Sequence, residues 1–121
     1  MKIRVYYEDV DIGGVVYHSK YLNFCERARS ELFFENRKSP VYKEYHFVVK
    51  ELKASYLKPA FFGDLLEVKT QLQQTKGARI QLLQTVCKDE DPIFKIEIEL
   101  VCMKGLKPAK IPHYFLEVFD R

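Results

Sequence analysis

Apolar residues recur every three or four positions in one stretch of this chain and every second position in most of the rest. Between about Lys20 and Asn36, Tyr21, Phe24, Cys25, Ala28 and Leu32 share one face while Lys20, Asn23, Arg27 and Glu31 lie on others. That spacing predicts a single amphipathic helix. Ser19 or His18 is expected to cap its start, and Asn36 followed by Pro40 to close it.

Elsewhere the period is two, which predicts strands. Ile3 to Tyr7 reads as a first strand. From Phe47 to Tyr56, Val48, Leu52, Ala54 and Tyr56 are assigned to one face, with Phe47 and Val49 on the other. Leu66, Val68, Thr70 and Leu72 alternate with Glu67, Lys69, Gln71 and Gln73. Thr75 to Gly77 marks a hairpin turn, Arg79 to Lys88 a further strand, and Lys88 to Pro92 a second turn. Phe94, Ile96, Ile98, Leu100 and Cys102 form the clearest stripe, opposed by Lys95, Glu97 and Glu99. The tail from Pro112 to Phe119 fits either a short helix or an edge strand.

Strands of about ten residues extend about 33 Å and a seventeen-residue helix about 26 Å. One such helix matches one such sheet. The expected architecture is therefore α+β, a long antiparallel sheet curled around one central helix, in a single domain spanning residues 1–121. Phe47, Val49, Leu65, Val101 and Met103 are expected on the outer face, so subunits are expected to associate through the sheet.

Charge narrows the partners. Twenty Lys and Arg against seventeen Asp and Glu give a net charge of +3, with the signs interspersed. No dense basic block tracks a phosphate backbone, which argues against nucleic acid. Charges at Lys2, Arg4, Glu8 and Asp9 interrupt any secretory apolar region, and no apolar run is long enough to cross a bilayer. A cytoplasmic location is expected. Cys25, Cys87 and Cys102 are odd in number and far apart, as suits reduced thiols in apolar positions.

The chemistry concentrates between Tyr6 and Arg29. Asp11 lies in a turn-prone run, Gly13 and Gly14 permit unusual backbone angles, and the helical pattern begins just after His18. The uncapped N–H groups of a helix start stabilise developing negative charge. One carboxylate beside one oxyanion site suggests acyl transfer to water. The double glycine lacks the spacing and lysine of a phosphate loop, and His46 and His113 have no ligand-spaced neighbours.

These residues resemble the hot-dog-fold thioesterases, in the branch of YbgC-type acyl-CoA thioesterases and hydroxybenzoyl-CoA thioesterase. The likeness rests on Arg4, Tyr6, Glu8, Asp9, Asp11, Gly14 to His18, Tyr21, Phe24 and Glu26 to Arg29, then more weakly on Tyr56, Pro59, Ala60, Asp64 and Leu66. Val10 stands where many relatives have threonine. The resemblance implies that Asp11 is the catalytic carboxylate, either nucleophile or general base, and that the His18 backbone amide is the oxyanion donor. It further implies a substrate pocket that includes Tyr7, Gly14, Val16 and Tyr17, with no metal or other cofactor. The implied substrate is an acyl-CoA or an acyl carrier protein ester. The implied assembly is a homodimer or homotetramer with sites between subunits, and Tol-Pal or phospholipid-synthesis proteins are implied as partners.

Two alternatives stay open. A dehydratase or hydratase would leave the thioester intact, and other hot-dog branches carry the carboxylate within the helix, where Glu26 and Glu31 stand. A non-catalytic acyl-binding or scaffold protein is the third reading. Lys58, Lys76 and Arg79 are candidates, on charge alone, for the coenzyme A phosphates.

Overall fold

Every strand pair among the described residues is antiparallel, as a succession of hairpin signals requires. A computed structural model describes residues 1–119. In chain order these form β1 (Lys2–Arg4), α1 (Lys20–Glu35), β2 (Tyr45–Tyr56), β3 (Leu65–Lys76), β4 (Arg79–Lys88), β5 (Asp91–Lys104), β6 (Lys107–Pro108) and α2 (His113–Phe119). The sheet order is β1-β3-β4-β5-β2, and β6 pairs with β5. β2 is thus an edge strand. The α+β arrangement of one sheet around one long helix is the one the periodicity predicts.

α1 is 16 residues and about 24 Å long. It buries Tyr21, Phe24, Cys25, Ala28 and Phe33, packs chiefly over β3 and β4, and meets the end of β2 through Tyr21 and Tyr56. Ser19 occupies the N-cap position with helical angles and makes no side-chain cap. The first turn is therefore left without the hydroxyl acceptor that a serine there usually supplies. At the other end Asn36 Nδ2 donates to the Leu32 carbonyl at 2.7 Å, and Arg37 turns left-handed at φ 54°.

The inner face carries Leu66 and Val68 of β3, Ile80, Leu82 and Val86 of β4, and Phe94, Ile96, Ile98, Leu100 and Cys102 of β5, all buried. Gln84 sits among them with no exposure at all and divides the core into two clusters. It accepts from Arg29 Nη1 at 2.8 Å and donates to the Cys25 carbonyl at 2.9 Å and to Thr70 Oγ1 at 3.0 Å. These bonds offset the cost of burying an amide.

Three local expectations change, and the open choice at the tail is resolved. The first strand ends at Arg4, and Tyr7–Asp9 forms a 3₁₀ turn because the Asp9 carboxylate accepts the Tyr6 N–H at 2.8 Å. The second turn narrows to Asp89 and Glu90, both left-handed, so Asp91 and Pro92 already belong to β5. The tail is a short helix whose Phe115, Val118 and Phe119 are buried, with Phe33 and Phe47 against its rings. The largest change concerns β2, whose register slips between Val49 and Glu51. Phe47 pairs with Cys102 and Val49 with Leu100, while beyond the slip Leu52 pairs with Ile98 and Ala54 with Ile96. A bulge at Lys50 therefore restores Phe47 and Val49 to the inner face, against the strict alternation assumed from the sequence.

Candidate active site

The motif segment folds as a small hairpin. Val10 bridges Val16, Asp11 N donates to Val15 O at 3.0 Å, and Tyr17 N donates to Asp9 O at 2.9 Å. Gly14, at φ 81°, takes the left-handed angle the turn needs. A second loop, residues 57–64, clasps this hairpin: Val15 bridges Phe61, and Val16 N donates to Ala60 O at 2.9 Å. That loop is itself fastened by Asp64, which accepts Phe61 N at 2.8 Å and pairs with Lys88 at 3.0 Å. Partial burial would raise the Asp64 carboxyl, but the Phe61 amide and Lys88 outweigh it and hold the group below its usual range.

Asp11 is exposed and asymmetrically held. Its Oδ1 accepts Gly13 N at 2.9 Å and Val15 N at 3.3 Å, whereas among the described residues Oδ2 meets no donor. One oxygen fixes the carboxylate and the other is free. His18 follows the hairpin directly, and among the described residues its N–H finds no acceptor within the chain. The Tyr56 hydroxyl donates to the His18 carbonyl at 2.8 Å, which fixes the following peptide group, His18–Ser19, at the helix start.

Beside His18 lies a cavity of about 300 Å³ lined by Val15, Val16, His18, Tyr21, Tyr56, Leu57, Lys58 and Pro59. Tyr21 stacks on Phe94 at 4.8 Å and meets Tyr56 edge-on at 5.7 Å, forming an aromatic back wall. Burial pushes the Tyr21 hydroxyl up, partly opposed by the Ala60 amide.

Of the residues singled out in the sequence, Val16 and His18 line this cavity. Gly14 shapes the turn above it. Tyr17 packs its ring on that of His18 at 4.4 Å, and Tyr7 stands outside, 83% exposed, edge-on to Phe62. Tyr21 and Tyr56, read in the sequence as apolar-face positions of the helix and a strand, also line the cavity. Lys58 also lines the cavity, paired with Asp91 at 2.6 Å. Lys76 and Arg79 pair with each other at the opposite end of the sheet, about 23 Å along β4 from Val86, which marks the site end. Glu26 lies eight residues along α1 from His18, about 12 Å, and lines a different cavity. Glu31 faces β3, beside Met1 and Glu67.

A sheet wrapped on one helix, with a hairpin carboxylate at the helix start, defines the hot-dog class of α+β proteins. The model of the thioesterase superfamily matches residues 13–95, and this chain belongs to that superfamily. It is 45% identical to the acyl-CoA thioesterase YbgC of Helicobacter pylori, over 99% of this chain and 98% of that protein. The acyl-CoA thioester hydrolase YbgC of an Escherichia coli strain is 34% identical over 98% of this chain and 93% of its own length. Among solved structures, a probable thioesterase from Bartonella henselae superposes with a TM-score of 0.86 at 30% identity, covering 93% of this chain and 97% of that one. Among the described residues no helix is long and apolar enough to cross a membrane.

Proposed function

We propose that this protein hydrolyses acyl-CoA thioesters in the cytoplasm, with Asp11 as the reacting carboxylate and the His18 amide as oxyanion donor. The observation that carries this reading is the division of labour within Asp11: two loop amides hold Oδ1 and leave Oδ2 free. The hairpin ladder sets Asp11 opposite Val15, three residues or about 10 Å of extended chain from His18.

In the proposed reaction the thioester oxygen accepts the His18 N–H while a new C–O bond forms at the carbonyl carbon. The oxygen comes either from Asp11 Oδ2 or from a water that Asp11 deprotonates. Collapse of the oxyanion breaks the C–S bond, and the thiolate leaves to take up a proton. In the first route the acyl–aspartyl anhydride is then hydrolysed by water. The relatives named as acyl-CoA thioesterases support the substrate class.

Asp11 is open to solvent in a single chain, so the site needs a further wall. The unpaired backbone edge of the 12-residue strand β2 offers the place for a second copy to add, giving a homodimer or a higher homo-oligomer.

The test is Asp11→Asn, followed by release of free thiol from acyl-CoA with a thiol-reactive dye. Nearly all turnover is expected to vanish with the fold retained. Wild-type turnover in the variant overturns the assignment, and loss of the acyl-CoA without thiol release favours the hydratase alternative.

A further inference from the structure

The surplus of positive charge on this chain is gathered at the end of the sheet opposite the candidate active site. Lys43 lies just before β2, Lys76 and Arg79 flank the β3–β4 turn, Lys104 and Lys107 flank the β5–β6 turn, and Lys110 follows. Backbone pairing draws these segments together. Lys76 pairs with Arg79 and Lys104 with both Tyr45 and Lys107, while Gly105 N donates to Glu44 O at 3.1 Å and Ile111 N to Gly77 O at 3.2 Å. All six cations are exposed, and Glu44 is the one acid in residues 41–46, 74–80 and 103–111. Set apart from the twenty Lys and Arg and seventeen Asp and Glu of the whole, they leave fourteen against sixteen, so the rest of the chain is slightly acidic.

Elsewhere lysines are answered by carboxylates: Lys20 by Asp9, Lys50 by Glu99, Lys58 by Asp91 and Lys88 by Asp64. Among the described residues none of the six forms a salt bridge; Lys43 and Lys104 lie instead over the rings of Tyr42 and Tyr45, at 5.2 and 5.6 Å. Between Lys104 and Lys107, after the left-handed Gly105 at φ 60°, stands Leu106, 96% exposed. A lone exposed leucine is ordinary. One raised on a tight turn between two lysines, within an unanswered cationic face, has the arrangement of an interfacial anchor, with the apolar tip inward and the ammonium groups level with the anions.

We infer that this end of the molecule docks on an anionic phospholipid surface, with Leu106 inserted at the headgroup boundary and the six cations facing lipid phosphates. Two observations favour a lipid surface over other polyanions. An apolar tip gains from a bilayer, which offers hydrocarbon beneath its charge, and gains nothing from a nucleic-acid backbone. Five of the six cations are lysines spread over separate loops, point charges suited to a diffuse field, whereas fixed carboxylates on a protein partner are best met by arginine forks. The docked orientation keeps the site in water. Arg79 is seven residues along β4 from Val86, about 23 Å, so the hairpin of Asp11 is turned away from the headgroups and stays open to dissolved substrate.

The chain contains no tryptophan, so Leu106→Trp places a single indole reporter at the tip. Its emission is followed during titration with vesicles of neutral phosphatidylcholine and with vesicles containing about one-third phosphatidylglycerol, and pelleting with the same vesicles measures the wild type. The expected result is a blue shift and at least ~10-fold tighter binding with the anionic vesicles, weakening as salt is raised. Lys104→Glu with Lys107→Glu should weaken pelleting at least ~10-fold and Leu106→Ser at least ~3-fold. Lys53→Glu with Lys95→Glu, the same change of net charge on the polar face of β2 and β5, should change it less than ~3-fold. Circular dichroism checks the fold of each variant. No binding to vesicles, equal binding to neutral and anionic ones, or an equal loss in the two charge-reversal pairs overturns the proposal. Binding of Leu106→Trp to polyglutamate or double-stranded DNA with no response to vesicles assigns the face to an acidic macromolecule and also overturns it.

Discussion

The Asp9 carboxylate stands 3.9 Å from Lys20 Nζ, joining the 3₁₀ turn that enters the hairpin to the first residue of α1. Asp9 is only 8% exposed, and its other oxygen holds the Tyr6 amide. It is two residues before Asp11, and Lys20 is two residues after His18. The pair thus braces the two halves of the candidate site against each other. Asp9→Asn keeps an acceptor for Tyr6 and loses the charge. The expected outcome is a drop in kcat of about 10-fold, the scale of a small misplacement of reacting groups, with little change in KM. Steady-state thiol release measures both.

Gly13 tests how closely Asp11 is held. A Cβ there would lie 3.3 Å from Asp11 Oδ1 and press on the oxygen that the Gly13 amide fixes. Gly13→Ala should lower kcat by about 10-fold or more, while the melting temperature stays near that of wild type. Gly14→Ala should do the reverse in part. No atom blocks its Cβ, but a φ of 81° strains any other residue by about 1–2 kcal/mol, visible as a lower urea midpoint.

Gln84 is the polar hinge of the core. Gln84→Leu removes the acceptor of Arg29 and the donor to Cys25 O and Thr70, leaving a guanidinium facing apolar side chains. The expected cost is about 3 kcal/mol, read as a shifted urea midpoint at unchanged slope. The paired change with Arg29→Met should recover part of it, because both members of the bond are then gone.

The second loop predicts a pH effect. Because the carboxyl of Asp64 is held below its usual range, it contributes stability that is complete above the unfolded pKa of about 3.9. That contribution is lost as pH falls through the lower folded value. Urea midpoints between about pH 5 and pH 2 should therefore fall more steeply for wild type than for Asp64→Asn. Equal slopes would assign the acid sensitivity elsewhere.

The alternation in β5 and in β3 from Leu66 to Leu72, and the helical spacing of α1, were legible because one face of each of these stretches turns to the core. Side-chain period and burial then coincide. β2 was misread because a single bulged residue reverses its parity, and nothing in V-V-K-E-L marks which residue will bulge. Tyr7, included in the pocket by the resemblance, lies outside the cavity beside His18, where the buried Asp9 carboxylate coils the chain into a 3₁₀ turn. Val16 and His18 line the cavity together because they adjoin the hairpin in sequence. Tyr21 and Tyr56 meet only when α1 is laid against the end of β2, a contact that no local pattern reveals.

All three cysteines are buried, and burial pushes the Cys25 thiol up to about 12. A protein whose reaction sets free a mole of coenzyme thiol at its own surface thereby offers that product no partner sulfur. Mixed disulfides with the spent carrier have nowhere to form, and successive turnovers leave the protein covalently unmarked.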